Sequence, residues 1–157
     1  RTPTPTPTPS DLEPTADDEC IYVTDDGIDR SSGAVVPSSL LILHGDWSYS
    51  IPLGLGSPKA IAIGGDVAYV NHAECCDGYL PPARVSVVDL PRKTVVGTHF
   101  VGVDSDDVAY ARGKLYVPSR ELGVSAIDVA TGDRLPLGVG YTPHRVVASA
   151  DQKKVFF

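Results

Sequence analysis

The sequence is short of positive charge, of methionine and of long apolar runs. It contains 13 lysines and arginines against 20 aspartates and glutamates, carries a net charge of −7, and has no methionine. This charge balance argues against nucleic acid or an anionic membrane surface as the main partner, because both attract clustered lysine and arginine. No apolar run approaches the roughly 18 residues of a membrane-spanning helix, so we expect no membrane insertion.

Cysteine is also scarce, with three residues at Cys20, Cys75 and Cys76. The sequence lacks a CxxCH motif for haem and a paired CxxC motif for zinc, so we predict no cofactor and no metal centre. In an exported protein an odd cysteine count implies a free thiol, a bridge to another chain or a missing partner. Adjacent Cys75 and Cys76 can form a vicinal disulfide, or one of them can bridge to Cys20. Metal binding by His72 with Cys75 or Cys76 is the weaker alternative.

The first residues, "RTPTPTPTP", are dominated by alternating threonine and proline. Proline at every second position forbids a helix and favours an extended polyproline II conformation. Such tracts are typical of stalks and linkers that are often O-glycosylated. We therefore predict a Thr/Pro-rich linker or stalk over residues 1–19. Together with the low lysine and arginine content, it favours an extracellular or cell-surface location, with the periplasm as an alternative.

From residue 20 onward the sequence shows no helical period. Short runs rich in valine, isoleucine and tyrosine alternate with glycine, proline, serine and aspartate. This pattern is typical of many short β-strands joined by tight turns. The fold class that it predicts is all-β with antiparallel strands.

One phrase recurs along the chain at a nearly constant interval. "IYV", "AYV" and "LYV" place Tyr22, Tyr69 and Tyr116 each 47 residues apart, and "VFF" places Phe156 40 residues further on. A period of 40 to 50 residues with four short strands is typical of a β-propeller blade. We predict about three and a half blades of four antiparallel strands, a partial ring over residues 20–157. Their approximate limits are 21–54, 57–101, 104–138 and 142–157.

The second repeat resembles a known family. "SPKAIAIGGDVAYVNH" followed by "ARVSVVDLPRKTVVGTHFVG" is similar to the YVTN type of propeller repeat, and the end of the chain repeats the match. The resemblance implies a propeller fold for residues 20–157. It leaves the activity open, because propellers serve as hydrolases, redox subunits, receptors and structural modules.

Closed propellers need at least four blades, and an open arc exposes strand edges and flat sheet faces. We therefore expect the rest of the propeller to be supplied by the same parent chain or by a complementing subunit. Self-assembly into a fibre is a further alternative.

Aligning the channel-lining strands at Ile61, Val108 and Val146 brings five polar residues to the predicted channel mouth. They are Lys59, Asp106, Asp107, His144 and Arg145. Such a set can bind a small anion or a sugar, or act as acid and base. The alternative is a group of ordinary solvated turn residues, and no catalytic motif decides between the two.

Two other segments carry residues suited to binding. Asp25, Asp26 and Asp29 surround a glycine and are weak calcium candidates, but they depart from the EF-hand pattern, and an acidic surface loop is the favoured interpretation. Trp47, Tyr49 and Tyr79 can stack on a sugar ring, although Trp47 at a strand start more often packs between blades.

These observations predict a secreted or cell-surface propeller that acts as a binding or structural scaffold, in a surface assembly or fibre. The alternative is a propeller enzyme such as a lactonase-like hydrolase, or a propeller subunit of a redox complex.

Overall fold

The computed structural model describes residues 20–28, 31–32, 37–54, 56–73, 82–139 and 143–157. The predicted tail over 1–19 lies outside them, as do Asp29, Cys75, Cys76 and Tyr79. Within the described residues the chain is all-β, as the sequence predicts, and none of its segments is a helix long and apolar enough to cross a membrane.

The described residues form thirteen strands. They are β1 (Ile21–Asp25), β2 (Ser38–His44), β3 (Trp47–Gly54), β4 (Ser57–Gly64), β5 (Val67–Ala73), β6 (Pro82–Asp89), β7 (Thr94–Val103), β8 (Ala109–Ala111), β9 (Lys114–Ser119), β10 (Gly123–Asp128), β11 (Arg134–Pro136), β12 (Val147–Ala148) and β13 (Val155–Phe156).

The strands form four sheets, in which each strand pairs with its neighbour in the chain. Sheet 1 contains β1 to β3, sheet 2 contains β4 to β7, sheet 3 contains β8 to β11, and sheet 4 is the β12–β13 hairpin. All pairings are antiparallel. Short connections between sequential strands account for this simple order.

The sheets pack face to face in the order of the chain. One apolar cluster lies between sheets 1 and 2 and a second lies between sheets 2 and 3. Strand β4 contacts β1 on one side and β8 on the other, and β8 in turn contacts β12. Sheet 2 is therefore covered on both faces.

Strand β5 shows how the sequence produces this packing. Successive side chains of a strand point to opposite faces. Ala68 and Val70 join the cluster shared with sheet 1, whereas Tyr69 between them joins the cluster shared with sheet 3. The phrase "VAYV" lacks polar residues because both of its faces are buried.

Aspartates close the turns between the third and fourth strands of sheets 2 and 3. One carboxylate oxygen of Asp89 accepts the backbone N–H of Arg92 at 2.8 Å, and Asp128 accepts those of Ala130 and Thr131 at 3.0 and 3.3 Å. Each carboxylate thus accepts backbone N–H groups that have no partner in the strand ladder, and it fixes the turn.

Candidate functional site

A polar pocket lies where three connecting segments meet on one side of sheets 3 and 4. The segments join β7 to β8, join β9 to β10, and precede β12. The pocket has a volume of about 330 Å³ and is lined by Asp104, Asp106, Pro118, Arg120, Pro143 and His144.

Two loose ion-pair contacts set the charge pattern of the pocket. The Nη1 atom of Arg120 lies 3.6 Å from Oδ2 of Asp104, and Nδ1 of His144 lies 4.0 Å from Oδ2 of Asp106. All four side chains reach solvent, and that of His144 is 84% exposed. Exposed pairs at these distances contribute little to stability, so the groups are free to exchange their partners for those of a ligand.

The floor of the pocket is apolar and rigid. Pro118 and Pro143 are buried, and each fixes its own backbone φ angle. The backbone N–H of Arg120 donates to the carbonyl of Val103 at 3.1 Å, which ties the β9–β10 turn to the end of β7. The charged side chains therefore extend from a backbone that is held in place.

The structure brings together two of the five residues that the sequence places at the channel mouth. Asp106 and His144 face each other across the pocket. Lys59 and Arg145 are exposed and do not line it. The carboxylate of Asp107 accepts the N–H groups of Val108 and Val146, at 3.0 and 2.9 Å. Asp107 thus joins the start of β8 to the start of β12 and has a structural role.

Arg120 and Asp104 are the site residues that sequence reasoning misses. The alignment of channel-lining strands cannot include Arg120, because it lies in the turn after the second strand of its repeat. Asp104 belongs to "DSDD", which reads as an acidic surface loop. Connections between successive sheets and turns after second strands emerge on the same side of the sheets. This common side is the sequence signal from which both residues could have been predicted.

A buried amide fixes the acidic segment from behind. Asn71 at the end of β5 is completely buried, and its Nδ2 donates to the carbonyl and hydroxyl oxygens of Ser105 at 2.8 and 3.1 Å. Ser105 lies between the two pocket aspartates in the sequence, and it is itself buried. Hydrogen bonds to a buried carbonyl are costly to remove, so Asn71 holds the segment that presents Asp104 and Asp106.

His72 follows Asn71 and is a buried imidazole. It is 3% exposed, and neither of its ring nitrogens has a hydrogen-bond partner. Burial, with a smaller contribution from the nearby charge of Arg84, lowers the pKa of His72 to about 4. The ring is therefore neutral at pH 7. It packs beside Gly56, where an added methyl group would be in ordinary van der Waals contact with it at 3.7 Å.

The acidic loop after β1 uses its carboxylates locally. Asp25 accepts the N–H of Gly27 and Asp26 accepts that of Ile28, both at 3.1 Å, which are bonds of tight Asx turns. In the described ranges, no three His, Cys, Asp or Glu side chains are arranged to hold a metal ion. The third calcium candidate, Asp29, lies outside those ranges, as do the two cysteines proposed as partners of His72.

The predicted bridge to Cys20 is not found. Cys20 is a free cysteine and is half-buried just before β1. It lies near the hydroxyl of Tyr22. The pKa of Tyr22 is raised mainly by burial, and to a smaller extent by this neighbouring thiol. A vicinal bond between Cys75 and Cys76 stays a prediction, because both residues lie outside the described part of the chain.

The aromatic residues of β3 contact a lysine of the neighbouring sheet. The ammonium group of Lys93 lies 5.8 Å from the ring centre of Trp47 and 4.9 Å from that of Tyr49. Lys93 belongs to the turn between β6 and β7. The two rings are therefore engaged in packing between sheets 1 and 2, as the sequence favours for Trp47.

No protein-family model and no curated protein matches the chain. Several solved structures are similar to it in fold, and two of them are described here. Hydrazine synthase of Kuenenia stuttgartiensis matches with a TM-score of 0.59 and 22% identity, over 74% of this chain and 34% of that one. Sqt1 of Saccharomyces cerevisiae matches with a TM-score of 0.53 and 8% identity, over 82% and 36%. The chain spans about a third of each of these proteins, and at these identities the likeness shows the fold alone.

Proposed function

We propose that the chain is a β-propeller segment that serves as a binding scaffold and presents its ligand site on the side where Asp104, Asp106, Arg120 and His144 converge. The observation that carries the proposal is the open, mixed-charge pocket on a rigid proline floor. Propeller geometry is supported by the sequential sheets, the face-to-face packing and the 47-residue repeat. The YVTN resemblance stays a prediction of the sequence.

The chemistry of the pocket favours a ligand with neighbouring hydroxyl groups, such as a sugar. Carboxylates accept hydrogen bonds from hydroxyls, and a guanidinium donates to them. A small anion fits less well, because Asp104 and Asp106 would repel it.

Binding fits this geometry better than catalysis does. The four charged side chains are exposed to water, where electrostatic stabilisation of a transition state is weak. Among the described residues that line the pocket there is neither a serine nor a cysteine that could act as a nucleophile. A scaffold role also agrees with the Thr/Pro-rich segment, which we take to be a tether that holds the protein outside the cell, on its surface or in the periplasm.

The test is a glycan-array screen followed by titration calorimetry with the best ligand. We expect Arg120→Ala and Asp106→Asn to weaken binding at least tenfold each, since each removes a charged hydrogen-bonding group worth about 1.5–3 kcal/mol. The matched control is Arg92→Ala, because Arg92 is also an exposed arginine paired with an aspartate but lies in the β6–β7 turn. Equal affinity for the parent chain and both pocket variants would contradict the assigned site.

A hydrolase is the second candidate, and one observation favours it. An imidazole 4.0 Å from a carboxylate, as in His144 and Asp106, is a pairing found in general acid–base sites. Turnover of lactone or ester substrates that is lost in both His144→Gln and Asp106→Asn would support the hydrolase. Sugar binding without turnover would support the scaffold.

A further inference from the structure

The junction of sheets 2 and 3 is closed by one side-chain amide. Asn71 lies two residues after Tyr69 on β5, and its Nδ2 donates to the carbonyl and the hydroxyl of Ser105 at 2.8 and 3.1 Å. Asn71 and Ser105 are both completely buried. The amide therefore ties the second strand of sheet 2 to the segment that enters sheet 3, and the two bonded groups leave no space for a ligand between them.

Proline occupies both equivalent positions at the junction of sheets 3 and 4. The tyrosine repeat places Pro118 at the position of Asn71, and the alignment of the channel-lining strands places Pro143 at the position of Ser105. A proline side chain has no hydrogen-bond donor, so Pro118 cannot make the bond that Asn71 makes. Both prolines line the pocket. The pocket therefore lies where the amide tie is missing from the repeat.

A different side chain ties sheets 3 and 4 together. The carboxylate of Asp107 accepts the backbone N–H of Val146 at 2.9 Å and that of Val108 at 3.0 Å. The equivalent residue one repeat earlier is Ala60, whose methyl group cannot accept a hydrogen bond. Asp107 does not line the pocket. This second tie therefore holds the two sheets together without occupying the space between the two prolines.

We propose that Pro118 and Pro143 are specificity-determining residues of the pocket. Because they omit the amide tie that closes the junction of sheets 2 and 3, they keep the junction of sheets 3 and 4 open to a ligand with neighbouring hydroxyl groups. The inference rests on the proposed function for the ligand, whereas the closure of the junction can be measured without one. A donor introduced at position 118 should close the pocket.

The first test measures sugar binding by a variant that regains the tie. Pro118→Asn supplies the missing donor, and the backbone carbonyl of Pro143 is equivalent to the acceptor on Ser105. The probes are the immobilised glycans of the array, and the sugar that binds the parent chain best is then titrated by calorimetry. We expect Pro118→Asn to bind it at least tenfold more weakly. Pro118→Ala is the matched control, because it also removes the proline ring but adds no donor, and it should keep the parent's affinity.

Nuclear magnetic resonance shows without any ligand whether the tie has formed. Asn71 and Gln152 are the only asparagine and glutamine of the chain, so the parent spectrum contains two side-chain amide pairs. The pair of Asn71 should exchange slowly with solvent, because this side chain is buried and hydrogen-bonded. Pro118→Asn should add a third pair that exchanges as slowly as that of Asn71.

A folded Pro118→Asn variant whose new amide pair exchanges as fast as that of free asparagine would overturn the proposal. A protected new pair with undiminished sugar binding would also overturn it, as would equal losses of binding in Pro118→Asn and Pro118→Ala. If Pro118→Asn does not fold, the double variant Pro118→Asn with Pro143→Ser repeats the test with both groups of the tie in place.

The parent chain supplies two further outcomes. Rapid solvent exchange of its Asn71 pair would overturn the proposal without any variant, because the tie that serves as the template would then not exist in solution. A parent chain that binds no sugar, together with a protected new pair in Pro118→Asn, would reject the proposed function but would support the closure of the junction by the amide.

Discussion

At the scale of single residues, the two consecutive polar residues near the end of β5 differ in their hydrogen bonding. Asn71 finds partners for its amide nitrogen on Ser105 and thereby anchors the segment that carries the pocket aspartates. His72 finds none for either ring nitrogen, so its burial is favourable only while the imidazole is neutral. Burial without a partner therefore disfavours protonation of His72 in the folded chain.

We expect the stability of the chain to fall in mild acid because of His72. The pKa of His72 is about 4 in the folded chain against an ordinary value of 6.5, so the unfolded chain binds more protons between these values. The free energy of unfolding should therefore be unaffected above about pH 6.5 and should fall by up to about 3 kcal/mol as the pH drops towards 4. Urea unfolding across this pH range measures the effect.

Two variants isolate the contribution of His72. His72→Leu is close in volume and removes no hydrogen bond, so it should reduce the pH dependence of stability while changing the stability at pH 7.5 by less than about 1.5 kcal/mol. His144→Gln alters an exposed histidine and should leave the pH profile unchanged. An unaltered acid transition in His72→Leu would show that other groups cause it.

The sequence predicts the pocket only in part, for a reason visible at this scale. Asp106 and His144 occupy equivalent positions of successive repeats, so an alignment of the repeats brings them together. Arg120 and Asp104 come from different positions of the repeat, and only the packing of neighbouring sheets makes them neighbours. Likewise nothing in the sequence indicates that Asp107 binds the backbone of Val146 rather than a ligand.

At the scale of strands and sheets, close packing between sheets 2 and 3 depends on a glycine. A methyl group on Gly64, at the end of β4, would lie 2.6 to 2.8 Å from three ring carbons of Tyr110 on β8. The ring of Tyr110 also stacks on that of Tyr69, with centroids 5.4 Å apart. Gly64 on β4, Tyr69 on β5 and Tyr110 on β8 therefore form one contact between sheets 2 and 3.

Gly64→Ala should destabilise the chain by about 1–3 kcal/mol, because the added methyl group forces the Tyr110 ring out of its stack. Gly97→Ala is the matched control, since Gly97 also lies in a strand and has no atom within 4 Å of the added methyl group. It should be neutral or slightly stabilising. Chemical unfolding of both variants gives the comparison.

Relief of the clash in the double variant Gly64→Ala with Tyr110→Ala would support the contact. The double variant should lose less stability than the sum of the two single variants. Strictly additive losses would mean that Gly64 and Tyr110 do not meet in solution.

The elements themselves were more predictable than the contacts between them. Runs such as "VAYV" and "VSVVD" indicate strands because their apolar residues are bounded by turn residues on both sides. Asp89 and Asp128 mark the turns that follow β6 and β10, and the structure has them bonded to the turn backbone. The glycine–tyrosine contact has no such signature, because it joins residues from different repeats.

At the scale of the whole molecule, the sheets are apolar on both faces. Such sheets cannot be stable alone, because each leaves a flat apolar side in water. Both apolar faces of sheet 2 are covered by a neighbouring sheet, whereas sheets 1 and 4 each have one face without a neighbouring sheet among the described residues. The repeat of the sequence predicts the covered faces well, since equivalent positions carry equivalent residues. It predicts what covers the outermost faces poorly, because that depends on copies or segments beyond the repeat.

Crystallography or cryo-electron microscopy of the native assembly distinguishes radial packing of the sheets from a sandwich. Radial packing places β4, β8 and β12 side by side around a common axis, with the later strands of each sheet progressively further from it. A closed sandwich, with no common axis for the first strands of the sheets, would contradict the proposed propeller.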